Sequence, residues 1–383
     1  MRVLIVVPPL AGHVNPTRGV GAALLARGHE VAWCGHPAAL KGLPEGAGLF
    51  ALSEHDGTGV ADAVLEESRT LRGLRSVKFF FERFLVPLAH SMVPGVEAAV
   101  QTYRPDVLLV DQQALAGSIV ARRAGLPWLT SCTTSAGVVE PLESFPEIAA
   151  WQDGLLASLQ EAHGLEVVKR PGLSEHGVVV YSSALLAGRE PSATLHFVGP
   201  VATARPDVPF PWDRLEDRPR VLVSLGTVSF ERGGSFYDAV VDGLREEDVQ
   251  VVLVAPESLV PSPPANVLRC DFVPQVALLP HMSAVVSHAG HNTVVETLAA
   301  GKPLVVAPIR DDQPVVAGQV VSAGAGVRVK FGRVRGETLR AAVRTVLDEP
   351  SYREAAERIG QTLREGGGAE RVADLLESVS RAG

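Results

Sequence analysis

SHAGHNTVVETLAAGKPLVVAPIRDDQ, residues 287–313, carries the arrangement from which the rest of the chain can be read. An apolar run ends at Ser287–His288, a turn follows at Ala289–Gly290, and a helical pattern starts at about Asn292 or Thr293. A second apolar run ends at Pro308 and leads into Asp312–Gln313. Strand, turn, helix and strand make a βαβ unit, which implies a parallel sheet. The free N–H groups and dipole of a helix start form an anion site. Gly290 lets an anion approach the backbone, and His288 can donate to the same anion. An acid beside an amide at a strand end suits the recognition of sugar hydroxyls. Plainer structural roles stand beside these. Asn292 or Thr293 can serve as a helix cap, and Thr293-Val-Val-Glu296 fits a capping box in which Glu296 is purely structural.

Outward from this stretch the same alternation recurs. Arg2–Val7 is a short apolar run, a helical pattern follows from about Asn15 to Arg27, Gly28 ends it, and Glu30–Gly35 is a second run. Val107–Val110, Trp128–Ser131 and Val178–Tyr181 read as further buried strands, and the region 54–100 reads as helical with Phe79, Phe80, Phe81 and Phe84 on it. The proline-rich stretch GPVATARPDVPFPW, residues 199–212, reads as a linker. Beyond it, Val221–Leu225, Val251–Val254, Val285–Ser287 and Leu304–Ala307 are strand candidates, followed by helices at Gly336–Leu347, Ser351–Leu363 and Gly368–Arg381. The expected fold is α/β: a first domain over 1–200, a linker over 201–215, a second domain over 216–365 and a C-terminal helix over 366–383. Each domain is expected to hold a parallel sheet, and such sheets take ligands at the carboxyl ends of their strands.

The 383 residues suit two domains, and 46% hydrophobic with 20% charged residues marks a globular chain. The formal charge of −8 comes without any basic run, which argues against nucleic acid as a partner. Cys34, Cys132 and Cys270 form no CxxC pair and no disulfide framework, so a cytoplasmic setting is expected. The N-terminal apolar run stops at Pro8–Pro9 and is too short for a secretory signal, and no stretch has the length and apolarity of a membrane span. Gly19-Val-Gly21 lacks the third glycine of a dinucleotide fingerprint and lies within the first helix, where it suits close packing. There is no DxD and no HExxH, and His288-x-x-His291 has too few partners for zinc, so no metal and no cofactor are expected.

The segment 287–313 resembles the donor-binding signature of family 1 glycosyltransferases of the GT-B fold, HxGxxTxxExxxxGxPxxxxPxxxDQ. It is met by His288, Gly290, Thr293, Glu296, Gly301, Pro303, Pro308, Asp312 and Gln313. Many relatives carry Asn three residues after the Gln, where this chain has Val316. Asp271-Phe-Val-Pro-Gln275 resembles the family's base-cradling segment, and Ser224-Leu-Gly-Thr227 its phosphate-side turn. Gly12-His-Val-Asn-Pro16 is similar to the bacterial macrolide and antibiotic branch. The resemblance spans nearly the whole chain and is weakest over 54–100 and 140–175.

The resemblance implies two Rossmann-like domains facing across a cleft, with the C-terminal helix returning to the first. It places His288 and the amides from Gly290 through Asn292 to Thr293 on the diphosphate, with Gly226 and Thr227 on the phosphate side. Val273 then meets the base, Gln275 and Glu296 the ribose, and Asp312 and Gln313 the sugar. It makes His13 the base that takes the acceptor hydroxyl proton, with Asp111 behind it; Asp111 ends a strand of the same sheet and can reach it. A neutral imidazole suits that task near pH 7. Left to themselves, His13 is a satisfied loop histidine and Asp111 a cap for the helical segment Ala114–Ala124. The expected activity is an inverting, metal-independent transfer from a TDP- or UDP-sugar to a hydroxyl of a small apolar acceptor, by a monomer or homodimer. A nucleotide-sugar epimerase or hydrolase and a non-catalytic nucleotide-sugar-binding helper are the alternatives. Phe79, Phe84, Phe145 and Trp151 are acceptor-lining candidates, with core packing the better expectation for most of the Phe run.

Overall fold

The computed structural model describes residues 1–52, 71, 73–139, 145–201, 208–226 and 233–382. These form two units. The first comprises 1–181, 190–204 and 366–383, and the second 182–189 and 205–365. The piece 182–189 thus groups with the second unit, although it lies within the range expected for the first.

The first unit holds a seven-stranded sheet in the order β3-β2-β1-β4-β5-β6-β7. Its strands are β1 (Arg2–Val6), β2 (Glu30–Gly35), β3 (Gly48–Ala51), β4 (Val107–Asp111), β5 (Trp128–Cys132), β6 (Val178–Val180) and β7 (Leu195–Phe197). Every pairing is parallel. Parallel strands covered on both faces read as unbroken apolar runs, and β1 shows why. Val3, Ile5 and Val7 face one core and Leu4 and Val6 the other, because side chains alternate along a strand. The first core is closed by helices Ala11–Ala26 and Gly368–Ala382, the second by helices Val86–Tyr103 and Leu115–Ala124. The C-terminal helix therefore belongs to the first unit. Arg27 ties it down through Asp374 at 2.8 Å and Glu377 at 3.1 Å, and His29 Nε2 meets Glu377 at 3.0 Å.

The second unit holds a six-stranded sheet in the order β10-β9-β8-β11-β12-β13. These are β8 (Arg220–Ser224), β9 (Gln250–Val254), β10 (Val267–Cys270), β11 (Ala284–Ser287), β12 (Leu304–Val306) and β13 (Gly326–Arg328). All pairings are again parallel. Val316 is fully buried in the apolar cluster beneath helix Gln313–Ser322, so the residue that departs from the family pattern is a core residue here.

Several expectations change in detail. The first helix begins at Ala11, four residues before the expected Asn15. Gly12 and Pro16 lie inside it; Pro16 removes one N–H, and the helix continues past it. Within the helical region, the described part from residue 73 contains a π-helical segment, Phe80–Leu85, between helices Leu74–Phe79 and Val86–Tyr103. Phe84 is 3% exposed and packed in the core, which corrects its candidacy as an acceptor contact. The part of the expected helical region over 54–70 and the part of the expected linker over 202–207 lie outside the described residues.

Gly21 performs the close packing expected of it. It lies over the indole of Trp33, a fully buried residue whose Nε1 donates to Thr17 Oγ1 at 3.0 Å. A Cβ at Gly21 would run into the ring carbons. Overpacking a filled core costs about 1–3 kcal/mol, or roughly 2–10 °C in Tm for a domain of this size. Gly21→Val is expected to lower the melting temperature within that range; an unchanged melting curve would show that the indole moves aside.

Candidate active site

The first constellation lies in the first unit, where the strand order reverses between β1 and β4. Open parallel sheets place ligands at such switch points. His13 is the third residue of helix Ala11–Ala26, which leaves the end of β1, and Asp111 is the last residue of β4. Although 98 positions apart, they meet, with His13 Nδ1 3.0 Å from each Asp111 oxygen. Asp111 is buried and the His13 side chain retains 15% exposure. Asp111 Oδ1 also accepts the Gln113 N–H at 2.9 Å. It does not cap the next helix: the cap position of Leu115–Ala124 is Ala114, without a side-chain bond. A carboxylate at Nδ1 fixes the hydrogen there and leaves Nε2 as the basic nitrogen. A third oxygen, Thr133 Oγ1, lies 2.8 Å from the same Nδ1. The motifs did not reveal Thr133; the signal available was its place just past the end of β5, whose Ser131 pairs in register with Asp111.

The second constellation lies at the corresponding reversal in the other sheet, between β8 and β11. His288 follows β11 directly and packs between Gly226 and Gly290. A Cβ at Gly226 would come within 2.7 Å of the His288 ring, and one at Gly290 within 2.5 Å. Gly290 therefore serves chiefly to make room for the imidazole, while Gly226 also takes a positive φ of 70°. Burial drives the His288 pKa down to about 4, against a weaker upward pull from Asp312. The ring is neutral at pH 7, and its Nδ1 is buried without a hydrogen-bond partner among the described residues. Thr227 lies outside the described residues.

Helix His291–Ala299 starts earlier than the sequence suggested, with Gly290 as its cap and no side-chain cap bond. Asn292 and Thr293 are thus its second and third residues, and neither is the cap. The first i→i−4 bond of the helix runs from Val294 N–H to Gly290 carbonyl, so the amides of Asn292 and Thr293 precede the ladder and face the helix end. The capping box is ruled out with them. Glu296 instead accepts a 2.7 Å hydrogen bond from Gln275 Nε2, which arrives from another element. Val273 packs partly into the core beside it, and the neighbouring Phe272 is 58% exposed, an aromatic face that the motif reading passed over.

Asp312 occupies the cap position of helix Gln313–Ser322 without a side-chain cap bond. Gln313 Oε1 accepts the N–H groups of Ile309 at 2.9 Å and Arg310 at 3.0 Å. Its oxygen thus holds the loop. Among the acceptor candidates, Phe79 packs partly against the core, Phe145 is 47% exposed, and Trp151 meets Phe81 edge-on at 6.1 Å. Among the described residues no three His, Cys, Asp or Glu side chains gather to hold a metal ion, and no helix is long and apolar enough to cross a membrane.

Residues 216–364 match the family model described as UDP-glucoronosyl and UDP-glucosyl transferase. The chain is 30% identical to 4'-demethylrebeccamycin synthase of Lentzea aerocolonigenes, over 99% of both chains. It is also 30% identical to demethyllactenocin mycarosyltransferase of Streptomyces fradiae, over 97% of this chain and 85% of that one. The solved structure of the glycotransferase of kitacinnamycin superposes with a TM-score of 0.75 at 27% identity, covering 99% of this chain and 98% of that one. With its two parallel-sheet units and a relative 30% identical over nearly its full length, the chain is a GT-B glycosyltransferase and belongs to the UDP-glucoronosyl and UDP-glucosyl transferase family.

Proposed function

We propose that this enzyme moves a sugar from a thymidine or uridine diphosphate donor to a hydroxyl of a small apolar natural product such as an antibiotic aglycone. The transfer is a single displacement that inverts the anomeric carbon and uses no metal. The acceptor class follows the relatives, whose names attach them to rebeccamycin and lactenocin compounds. The observation that carries the chemistry is the His13–Asp111 contact. Nε2 of His13 takes the acceptor proton as the hydroxyl oxygen bonds to the anomeric carbon. The bond from that carbon to the diphosphate breaks, and its electron pair leaves with the phosphate oxygen. The buried Asp111 carboxylate stabilises the imidazolium that results.

The second unit supplies the donor's contacts. The amides at the start of helix His291–Ala299 and the Nδ1 of His288, unpartnered among the described residues, suit the diphosphate, where fixed dipoles stabilise the leaving charge. Glu296, oriented by Gln275, suits the two ribose hydroxyls. Phe272 offers its ring to the base, and Asp312 with Gln313 Nε2 suits the sugar. Phe79, Phe145 and Trp151 remain the aromatic candidates for the acceptor. A buried carboxylate fixed on a partly exposed histidine is what proton transfer requires and what a binding helper would not need.

His13→Ala is expected to abolish transfer while nucleotide diphosphate still binds, with wild-type turnover unaffected by EDTA. Wild-type rates for His13→Ala would refute the base assignment. Loss of activity in EDTA with recovery in magnesium or manganese would refute the metal-free mechanism.

Glu296→Gln tests the donor site. With the capping box gone, the substitution should leave the melting curve of the unliganded protein in place. Losing a charge-assisted bond costs about 1.5–3 kcal/mol, which predicts roughly tenfold to hundredfold weaker donor binding. An unchanged donor titration would remove Glu296 from the site.

A further inference from the structure

We propose that Thr133 is a positioning residue for the His13 base, sharing the Nδ1 hydrogen with Asp111 and fixing the plane of the imidazole. The proposal rests on the reading of His13 as the base. Three oxygens surround Nδ1: Asp111 Oδ1 and Oδ2 at 3.0 Å each, and Thr133 Oγ1 at 2.8 Å. A neutral imidazole with its hydrogen on Nε2 would set the Nδ1 lone pair against a carboxylate, so the hydrogen sits on Nδ1 and the surrounding oxygens accept it. A carboxylate alone leaves the ring free to rock about the Cβ–Cγ bond, because either of its oxygens can follow the N–H. A hydroxyl from a different strand end, itself 5% exposed, closes off that motion.

The environment favours such a role. Thr133 follows β5 directly and Asp111 ends the adjacent β4, so two paired strands hold both groups. Cys132 and Tyr181 both feel the Asp111 charge, and the Arg170 guanidinium acts in turn on Cys132. Burial pushes the Cys132 thiol up to about 12, and Tyr181 is raised in the same way, so both stay protonated at working pH. Cys132 Sγ turns to Gln112 Oε1 at 3.0 Å, and the Tyr181 hydroxyl meets Ser131 Oγ at 3.2 Å. Both of these bonds run to groups other than the imidazole. When Nε2 takes the acceptor proton, the Nδ1–H becomes a cationic donor and its bonds to Asp111 and Thr133 strengthen.

The test compares Thr133→Val, Thr133→Ser and Thr133→Ala with wild type in kcat, donor KM, melting temperature and the pH profile of kcat/KM. Thr133→Val should lower kcat about tenfold, the worth of one hydrogen bond of typical net strength. Donor KM should stay within about twofold, because the donor contacts lie elsewhere. The acidic limb should move to lower pH by about half a unit to one unit, since the imidazolium loses an acceptor. Thr133→Ser should restore most of the rate and the limb. If Val disturbs packing, Thr133→Ala must still show the shifted limb. An unmoved limb in both Val and Ala variants, or equal losses in Val and Ser, would overturn the proposal. His13→Ala assayed alongside separates the two claims. An inactive His13→Ala beside an unaffected Thr133→Val refutes the positioning role alone, while an active His13→Ala refutes the base and the positioning role together.

Discussion

The reversal of strand order in each sheet is the constraint on which everything else depends. In a parallel sheet, neighbouring strands whose connections run to opposite sides leave their carboxyl ends uncovered between them. In the first unit that gap separates β1 and β4, and it brings His13 to Asp111 across 98 positions of sequence. In the second it separates β8 and β11, and it brings Gly226 against His288. Neither pairing could come from a local motif. Both follow once a chain of this composition folds into two such sheets.

The same physics decides which parts of the fold were legible. All the interior strands, β1, β2, β4, β5 and β6 in one sheet and β8, β9, β11 and β12 in the other, appear in the sequence as short apolar runs. The four strands that went unnoticed, β3, β7, β10 and β13, are the four edges. An edge strand is paired on one side only and covered less completely. Gly48–Ala51 alternates half-buried and exposed residues, and Gly326–Arg328 has a single buried residue. Such segments lack the continuous apolar signal by which a buried strand is recognised.

At the sites, residue identity was more legible than local conformation. His13 meets Asp111 and Gln275 meets Glu296, the contacts on which the proposed proton transfer and ribose recognition rest, yet both helix starts were placed too late. Gly12 and Pro16, both weak helix formers, lie inside the first helix and blur its start. Gly290 disguised the second: its cap role needs no side chain, so the eye passes to Asn292 and Thr293, which have the usual capping chemistry. Thr133 escaped because its role depends on the register between β4 and β5. Gln313 carries a structural duty that its motif conceals, since its oxygen pins the backbone of Ile309 and Arg310.

In the proposed mechanism the two sites divide the reaction: one supplies a base held in a single tautomer, the other a neutral histidine and a helix end for a departing anion. Direct attack of a deprotonated hydroxyl on the anomeric carbon, with no covalent sugar–enzyme intermediate, requires inversion at that carbon. The most direct measurement is therefore the anomeric configuration of the product, read by NMR from the coupling across the new glycosidic linkage and compared with that of the donor. Inversion is the expected result, and retention would contradict single displacement by a His13-activated acceptor.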